Sequence, residues 1–550
     1  MAQQLEFTVG GLLDHIAGRY PDRDALVYPE RGLRYTWREF NEVCRQVAKG
    51  LLKLGIRKGE HLSIWAYNVP EWVILQFATA KIGAILVTIN TSYKSAELEY
   101  ILSQSDSTTL FLVKSFKDTD YVQTLYDVVP ELSGAEPGKL ASAKLPFLKN
   151  VFFIGDETPV GMLNFQRILE LGKDVPDGEL TAVEQTLDRH EVINMQYTSG
   201  TTGFPNGVML THINVVNNGF NIGECMRFTE NDRLCIPVPF FHCFGCVLGV
   251  MACVTHGSAM VPVEIFDPLK VLQTIETERC TAVHGVPTMF IAELEHPEFS
   301  RFDLTSLRSG IMAGSNCPIE VMKKVISQMH ASEITIAYGQ TESSPVITQT
   351  RTDDPIELRV ATVGRALPDV EVKIVDIETG ATLPPGKQGE LCTRGYHVMK
   401  GYYKMPEETA KAIDQENWLH TGDLAVMDEN GYCKITGRIK NMIIRGGENI
   451  YPREIEEFLY THPKISDIQV YGVPDRKYGE QVMAAIIIKK GVELSEDEVR
   501  DFCKGKIANY KVPRYVKFVT SYPMTASGKI QKFKLREMAI KELHLEDAGE

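Results

Sequence analysis

The chain of 550 residues has no surplus of positive charge. It carries 58 Lys and Arg against 72 Asp and Glu, a formal net charge of -14. A general nucleic-acid binder needs basic groups to displace counterions from phosphates, so no nucleic-acid partner is expected. An anionic small molecule would have to meet local positive groups, because the mean field repels it. No segment is low in complexity and no short unit recurs at a fixed period, which excludes a solenoid. The opening MAQQLEFTVGGLLDHIAGRYPDRD lacks a basic start followed by an apolar run, and it contains acidic residues. It reads neither as a secretory leader nor as a mitochondrial presequence. No long apolar run is free of breakers. The most apolar stretch, 234–254, contains Pro237, Pro239 and His242, which predicts a buried element and no membrane span. The 11 cysteines are scattered and odd in number, so a disulfide framework is not expected and a reduced, cytoplasmic compartment is.

What is present is the make-up of a globular protein, with 44% hydrophobic and 24% charged residues. The length exceeds one ordinary core, so at least two folding units are expected. LRYTWREFNEVCRQVAKGLLKLG begins extended and turns amphipathic, with Phe40, Val43, Val47, Leu51 and Leu52 at helical spacing and Gly55 as its stop. HLSIWAY reads as a strand, PEWVILQFATAKIG as a helix opened by Pro70, and AILVTIN as a strand. The runs AMVPV, TAVHGV and ITIAYG continue this alternation, which predicts parallel sheets covered by helices. From 364 to 423 and slightly beyond, VEVKIVD, GELCTRG and AVMDENGYCKITGR look like hairpin strands, with a turn at Asn430 and Gly431. The element pattern restarts after Arg438. Helix 452–459, strand ISDIQVYGV, strand VMAAIIIKK, helix SEDEVRDFCKGKI and strand RYVKFV are enough for an independent core. The expected fold class is α/β: a large N-terminal domain, 1–439, of helix-covered parallel sheets plus a β-rich subdomain, then a small mobile α+β C-terminal domain, 440–550.

The segment YTSGTTGFPNG, 197–207, holds three glycines and four hydroxyl residues after the apolar lead INMQY. Small residues let backbone N–H groups approach phosphate oxygens, and hydroxyls add donors. Composition leaves a plain polar turn equally open, and no G-x-x-x-x-G-K-[ST] spacing is present. HCFGC, 242–246, contains a CxxC, but without a second ligand pair a zinc or thioredoxin-type role has little support.

TSGTTGFPNGV resembles the phosphate-binding loop of the adenylate-forming superfamily, which includes acyl-CoA synthetases, peptide-synthetase adenylation domains and firefly-type luciferases. Further segments match in order: KIGAILVTINTSYKSAELEYIL early on, then PFFH at 239–242, YGQTE at 338–342, TGD at 421–423, GRIK at 437–440, RGGENIYP at 445–452 and SGK at 527–529. The resemblance spans nearly the whole chain, and RGGENIYPREIEEFLYTHP and YPMTASGKIQKFKLRE look most like fatty acyl-CoA synthetases.

The resemblance implies ATP, CoA and Mg²⁺ as cofactors and a carboxylic acid as substrate, turned into an acyl-adenylate and then an acyl-CoA thioester. It places ATP or AMP against Thr198, Ser199, Gly200, Thr201, Thr202, Gly203, Asn206, Gly314, Tyr338, Gly339, Gln340, Thr341, Glu342, Asp423, Arg438 and Lys529. Within that set Glu342 holds Mg²⁺, a hard cation that prefers oxygen ligands. Tyr338 packs on adenine, and Thr341 contacts phosphate. Asp423 and Arg438 clamp the ribose, as a carboxylate does at dinucleotide sites. Lys529 is the adenylation lysine: a positioned cation offsets the repulsion when a carboxylate attacks the α-phosphate. Thr198 and His242 complete the catalytic group. Phe241, His242, Gly245, Val286, Gly314 and Gly339 border the acyl pocket, with Gly245 and Gly249 leaving room for a chain. Arg445, Gly446, Gly447, Tyr510, Lys511 and Arg514 match CoA-contacting regions. Lys440 matches the hinge about which the C-terminal domain swings, and a homodimer is a family-level expectation.

One position departs from the pattern. The loop usually ends Pro-Lys-Gly and here reads Pro205, Asn206, Gly207. Asparagine donates hydrogen bonds but supplies no charge, so a slower first step or weaker pyrophosphate binding is expected. A medium-chain fatty acid is the expected substrate, with aromatic or alicyclic acids as the alternative. A loader of carrier-protein thiols is the rival enzyme, although no carrier domain follows the last motif. A degenerate nucleotide sensor is the rival binding protein, opposed by the presence of Glu342, Asp423, Arg438 and Lys529.

Overall fold

Short apolar runs bounded by Gly and Pro build two large sheets. The computed structural model describes residues 4–198, 205–314, 317–446, 448–504, 506–525 and 528–545. By contact density the chain divides into two units, Met1–Val372 with Thr393–Leu419, and Lys373–Cys392 with His420–Glu550. The second unit therefore includes hairpin strands that precede residue 440.

In the first unit an eight-stranded sheet runs in the order Gly401–Tyr402, Asn206–Thr211, Val192–Thr198, Ile85–Thr88, His61–Trp65, Thr109–Leu112, Asn150–Phe153 and Leu163–Asn164. A nine-stranded sheet has the order Arg365–Ala366, Val346–Gln349, Thr335–Gly339, Ser309–Ala313, Ala282–Gly285, Arg233–Ile236, Ala259–Pro262, Asp24–Tyr28 and Leu33–Thr36. The central strands of both are parallel, as expected from their alternation with helices. Both sheets are mixed, however, because short hairpin returns at the edges run antiparallel.

Helix Trp37–Lys53 starts at a capping box: Thr36 accepts from the Glu39 backbone while the Glu39 carboxylate accepts from Thr36. Its buried stripe is Trp37, Phe40, Cys44, Val47 and Leu51, with Val43 and Leu52 only half-buried. Gly55 follows at φ 89°, left-handed backbone that glycine adopts without strain. Helix Pro70–Ile82 is buried on all sides, so it has no polar face to read. Lys81 at its end is fully buried, with Nζ 2.8 Å from Asp14 and 3.3 Å from Glu184. A buried ammonium is tolerated only when paired in this way. The apolar stretch at 234–254 is interior: strand Arg233–Ile236, a connection, a π-helix Phe244–Met251 and helix Ala252–His256. Among the described residues no helix is long and apolar enough to cross a membrane.

In the second unit, strands Leu419–Met427 and Cys433–Arg438 form the expected hairpin. Its turn is held by Asp428, whose Oδ1 accepts from the backbone of Asn430 and Tyr432, and Gly431 takes φ 81°. Beyond it Glu448–Ile450, Ile443–Arg445, Gly479–Ile488 and Ile465–Asp475 pair in that order, and Tyr515–Phe518 adds in parallel to Gly479–Ile488. Helices Pro452–Tyr460 and Glu496–Cys503 cover one core of Ile443, Ile455, Leu459, Val470, Ile486 and Val499. Helix Lys532–Glu542 covers a smaller one with Tyr471, Met483, Tyr522 and Leu535. This is the expected α+β arrangement.

Candidate active site

Two paired strands flank the donor-rich segment. Strands Val192–Thr198 and Asn206–Thr211 pair antiparallel, with Thr198 opposite Asn206. Ser199, Gly200, Thr201, Thr202 and Gly203 lie outside the described residues. The loop's base is tied from beside it: the Tyr100 hydroxyl donates to the Pro205 carbonyl at 3.1 Å, and the Tyr197 hydroxyl donates to the Gln104 carboxamide.

Glu342 sits on the single 3-10 turn Thr341–Ser343 that follows strand Thr335–Gly339. Its Oε1 accepts from the Thr198 hydroxyl at 3.4 Å and from the Tyr402 hydroxyl at 2.9 Å. Thus YTSGTTG and YGQTE, far apart in sequence, meet at the loop's first residue. Tyr402 arrives because strand Gly401–Tyr402 adds to the hairpin, with Tyr402 opposite Val208. Nothing in the sequence marked this tyrosine. Burial and the Glu342 carboxylate both push its phenol upward, so it stays protonated and donates. Both hydroxyls fall on the same carboxylate oxygen. A half-buried carboxylate so arranged suits a hard cation.

Around Glu342 the backbone is closely packed. A Cβ at Gly339 would stand 1.8 Å from the Pro345 carbonyl oxygen, so only glycine fits. Tyr338 and Gln340 are half-buried and Thr341 is buried. Asn206 is not a projecting donor: it is 5% exposed, and its Oδ1 has no hydrogen-bond partner among the described residues.

The expected acyl-pocket residues share one edge. Strands Arg233–Ile236, Ala282–Gly285, Ser309–Ala313 and Thr335–Gly339 are successive parallel neighbours. Their carboxyl ends carry, in turn, the segment with Phe241 and His242, then Val286, Gly314 and Gly339. Ligands of open α/β sheets bind at such carboxyl ends. Phe241 and Val286 are buried, His242 is half-buried, and Gly314 is exposed at φ 90°. His242 Nδ1 accepts from the Phe244 backbone at 3.1 Å, which orients the ring at the start of the π-helix. π-Turns within helices often mark functional sites. Gly245 has a different task from the one expected. A Cβ there would stand 2.4 Å from the Pro239 carbonyl oxygen, and one at Gly249 would meet Ile236 at 3.0 Å. These glycines let the π-helix approach the preceding chain and leave no open space of their own. The CxxC thiols bracket Gln196: Cys243 donates to its Oε1 at 3.0 Å, and its Nε2 donates to Cys246 Sγ at 3.1 Å. Burial pushes the Cys246 thiol up to about 12, which suits a structural thiol and not a redox one.

In the second unit Asp423 and Arg438 face each other across the hairpin, and Arg438 Nε lies 2.7 Å from Asp423 Oδ1. Asp423 is buried and Arg438 exposed, so an anion and a cation converge at one place, as a sugar clamp requires. Gly422, at φ 70°, makes the bend before Asp423. Lys440 is exposed in the one-turn helix Ile439–Asn441. Lys529 is half-buried in a tight turn, where its N–H donates to the Thr525 hydroxyl at 3.0 Å and Gly528 takes φ 78°. Its neighbour Ser527 lies outside the described residues. Of the CoA candidates, Gly447 lies outside them too. Arg445 and Arg514 lie along one edge of strand Gly479–Ile488. Arg445 pairs with Gly479, and the Arg514 N–H donates to the Val482 carbonyl. These anchor points are three residues apart, roughly 10 Å along a strand. Arg445 stacks on Tyr478 and donates to Gln481 at 2.7 Å, while Gly446, at φ 61°, donates to the Tyr478 carbonyl. Lys511 pairs with Glu454 at 2.7 Å, and Tyr510 packs on the core.

Comparison with known proteins identifies the family. Residues 13–403 match the family described as AMP-binding enzyme, and 454–529 match the AMP-binding enzyme C-terminal domain. The candidate acyl-CoA synthetase YngI of Bacillus subtilis is 60% identical over 99% of both chains. A mitochondrial medium-chain acyl-CoA ligase of Bos taurus is 43% identical over 98% of this chain and 88% of its own length. Among solved structures, the anthranilate CoA ligase AuaEII in complex with anthranoyl-AMP superposes with a TM-score of 0.84 at 28% identity, covering 99% of each chain. ATP-bound MatB from Rhodopseudomonas palustris gives 0.83 at 27%, covering 97% of this chain and 99% of its own.

Proposed function

The chain belongs to the AMP-binding enzyme family, and from that premise we propose that its substrate is a medium-chain fatty acid. The reaction class is that of the family: an AMP-forming acid–thiol ligase joins a carboxylate to the adenylyl group of ATP, then passes the acyl group to the thiol of CoA. The observation that supports the acid is kinship. Relatives 42–44% identical along 98% of this chain carry the name medium-chain acyl-CoA ligase.

The residues take the following parts in this reading. Glu342, steadied by Thr198 and Tyr402, would hold Mg²⁺. When bound, Mg²⁺ neutralises charge on the phosphates. The hairpin loop after Thr198 cradles those phosphates. Asp423 and Arg438 grip the ribose, and Tyr338 lies against adenine. Lys529 faces the charge that builds when the substrate carboxylate attacks the α-phosphate. That attack forms the carboxyl–phosphorus bond and expels pyrophosphate. CoA then displaces AMP from the acyl carbon. Arg445, Gly446 and Arg514, along one strand edge, receive the CoA. Lys440 is the pivot between the two half-reactions, so the catalytic domain ends at 439 in this reading. A cytoplasmic setting accounts for 11 free thiols, ten of them buried.

The test is the specificity constant across straight-chain acids from acetate to palmitate, with benzoate included, read by pyrophosphate release. A maximum at medium lengths is expected. A sharp preference for benzoate would replace the fatty acid by an aromatic one, a reading favoured by the anthranilate ligase likeness. Turnover with a carrier protein but not with CoA would overturn the second half-reaction as written.

A further inference from the structure

We propose that Glu390, Cys392 and His420 form a three-ligand site for a divalent transition metal of the zinc type, separate from the Mg²⁺ of the nucleotide. Strand geometry brings them together. Glu390 and Cys392 are two apart on strand Gln388–Gly395 and so share a face. His420 lies on the neighbouring strand Leu419–Met427. The two strands are locked in register by the Thr421 hydroxyl, which donates to the Leu391 carbonyl at 2.7 Å.

The three ligand atoms converge. Glu390 Oε2 is 2.9 Å and Cys392 Sγ 3.4 Å from His420 Nδ1, and all three atoms lie within 4.8 Å of one another. A tetrahedral ion with metal–nitrogen, metal–oxygen and metal–sulfur bonds of about 2.0–2.3 Å needs ligands roughly 3.3–3.6 Å apart. Shifts well under the length of one bond therefore suffice. One imidazole nitrogen faces both a carboxylate and a thiol, and it can donate to one or accept from one, not both. An ion would engage all three at once.

The donor set selects the ion. A thiolate, an imidazole and a carboxylate together suit zinc, cobalt or nickel, whereas Mg²⁺ and Ca²⁺ require oxygen. On binding, the Cys392 thiol releases its proton to solvent, and His420 presents its Nδ1 lone pair with its proton on Nε2. Thiolate and carboxylate then neutralise the two positive charges, which suits a place where Cys392 is fully buried and Glu390 nearly so. The carboxylate is already oriented, because Glu390 Oε1 accepts from the Gly422 N–H at 2.9 Å. Outer contacts of this kind are what fix a ligand for a metal. His420 is 33% exposed, which provides an entry path and a fourth position for water. Through Gly422 the site also touches the bend that presents Asp423.

The experiment uses the full chain, freed of metal by chelation and titrated with Co²⁺ alone. Saturation at one ion per chain with a thiolate-to-cobalt charge-transfer band, reversed by Zn²⁺, is expected. Cys392→Ala should abolish the band. His420→Gln and Glu390→Gln should weaken Co²⁺ binding roughly tenfold or more. Cys317→Ser, at a half-exposed thiol elsewhere, should change nothing. No charge-transfer band in the unaltered protein, or a band that survives Cys392→Ala, overturns the proposal. If Cys392→Ala does not fold, the partly exposed His420→Gln decides: unchanged Co²⁺ affinity there overturns it equally.

Discussion

Tyr402→Phe removes one hydroxyl and nothing else from the neighbourhood of Glu342. The lost contact is a 2.9 Å hydrogen bond from a protonated phenol to a carboxylate oxygen. Bonds to charged groups contribute about 1.5–3 kcal/mol net when buried. Glu342 is half-buried, and Thr198 still donates to the same oxygen at 3.4 Å, so water can replace part of the loss. The expected cost is therefore about 1–1.5 kcal/mol, or roughly five- to tenfold. It should appear in the grip on Mg²⁺, because the bond orients a ligand and touches no reacting atom. Acid-dependent exchange of labelled pyrophosphate into ATP, measured against Mg²⁺ concentration, reads this directly. The midpoint for Mg²⁺ should rise by that factor, while the rate at saturating Mg²⁺ stays within about twofold. An unchanged midpoint would refute the role assigned to Tyr402. A uniform loss at every Mg²⁺ concentration, with a lowered Tm, would show that the tyrosine merely supports the fold.

Asn206→Lys restores a charge beside the phosphate loop and is expected to tighten pyrophosphate binding; equal inhibition by pyrophosphate in both proteins would show that the charge is unimportant here. Lys529→Ala should slow adenylation by roughly 10²–10³-fold, the scale of losing a preorganised charge partner, measured by the same exchange assay. Gly245→Ala places a methyl 2.4 Å from the Pro239 carbonyl oxygen and should cost about 1–3 kcal/mol of stability, seen as a lower Tm. Acid should destabilise the protein through three buried histidines. Burial lowers His212 and His284 to about 4 and His397 to about 3. The unfolded chain binds these protons near pH 6.5 and the folded one does not, so their contribution is intact above about 6.5 and is lost as pH falls towards 4. Calorimetry should show Tm level from pH 8 to 7 and falling below 6.5; a level Tm down to pH 5 would contradict this.

Much of the fold could be read from periodicity, because strands such as His61–Trp65 and helices such as Trp37–Lys53 carry local signals: a capping box, Gly stops and alternating apolar runs. Helix Pro70–Ile82 was legible only through Pro70 and Gly83, since a helix buried on every side has no face to declare. The antiparallel sheet edges escaped notice because a two-residue strand such as Gly401–Tyr402 has no periodicity at all. The same short strand explains why Tyr402 was missed: its link to Glu342 exists only after Val208 has paired with it. Glu342, Asp423, Arg438 and Lys529 are candidates through family motifs and not through local chemistry. The close approach of the Pro239 carbonyl to Gly245 is not legible in sequence, because an absent side chain looks alike whether it admits a ligand or a carbonyl. The convergence of Glu390, Cys392 and His420 is a cross-strand property that spacing along the chain does not reveal.

The Asp423–Arg438 pair has a consequence for how an intermediate is kept. Arg438 ends its strand, and Lys440 lies in the very next turn. A rotation at Lys440 would carry Lys529 with it and leave the cross-strand pair behind. In the proposed reading, sugar anchor and reactive cation lie on opposite sides of that joint in the chain, so the cation would withdraw once the adenylate had formed while the anchor went on holding it.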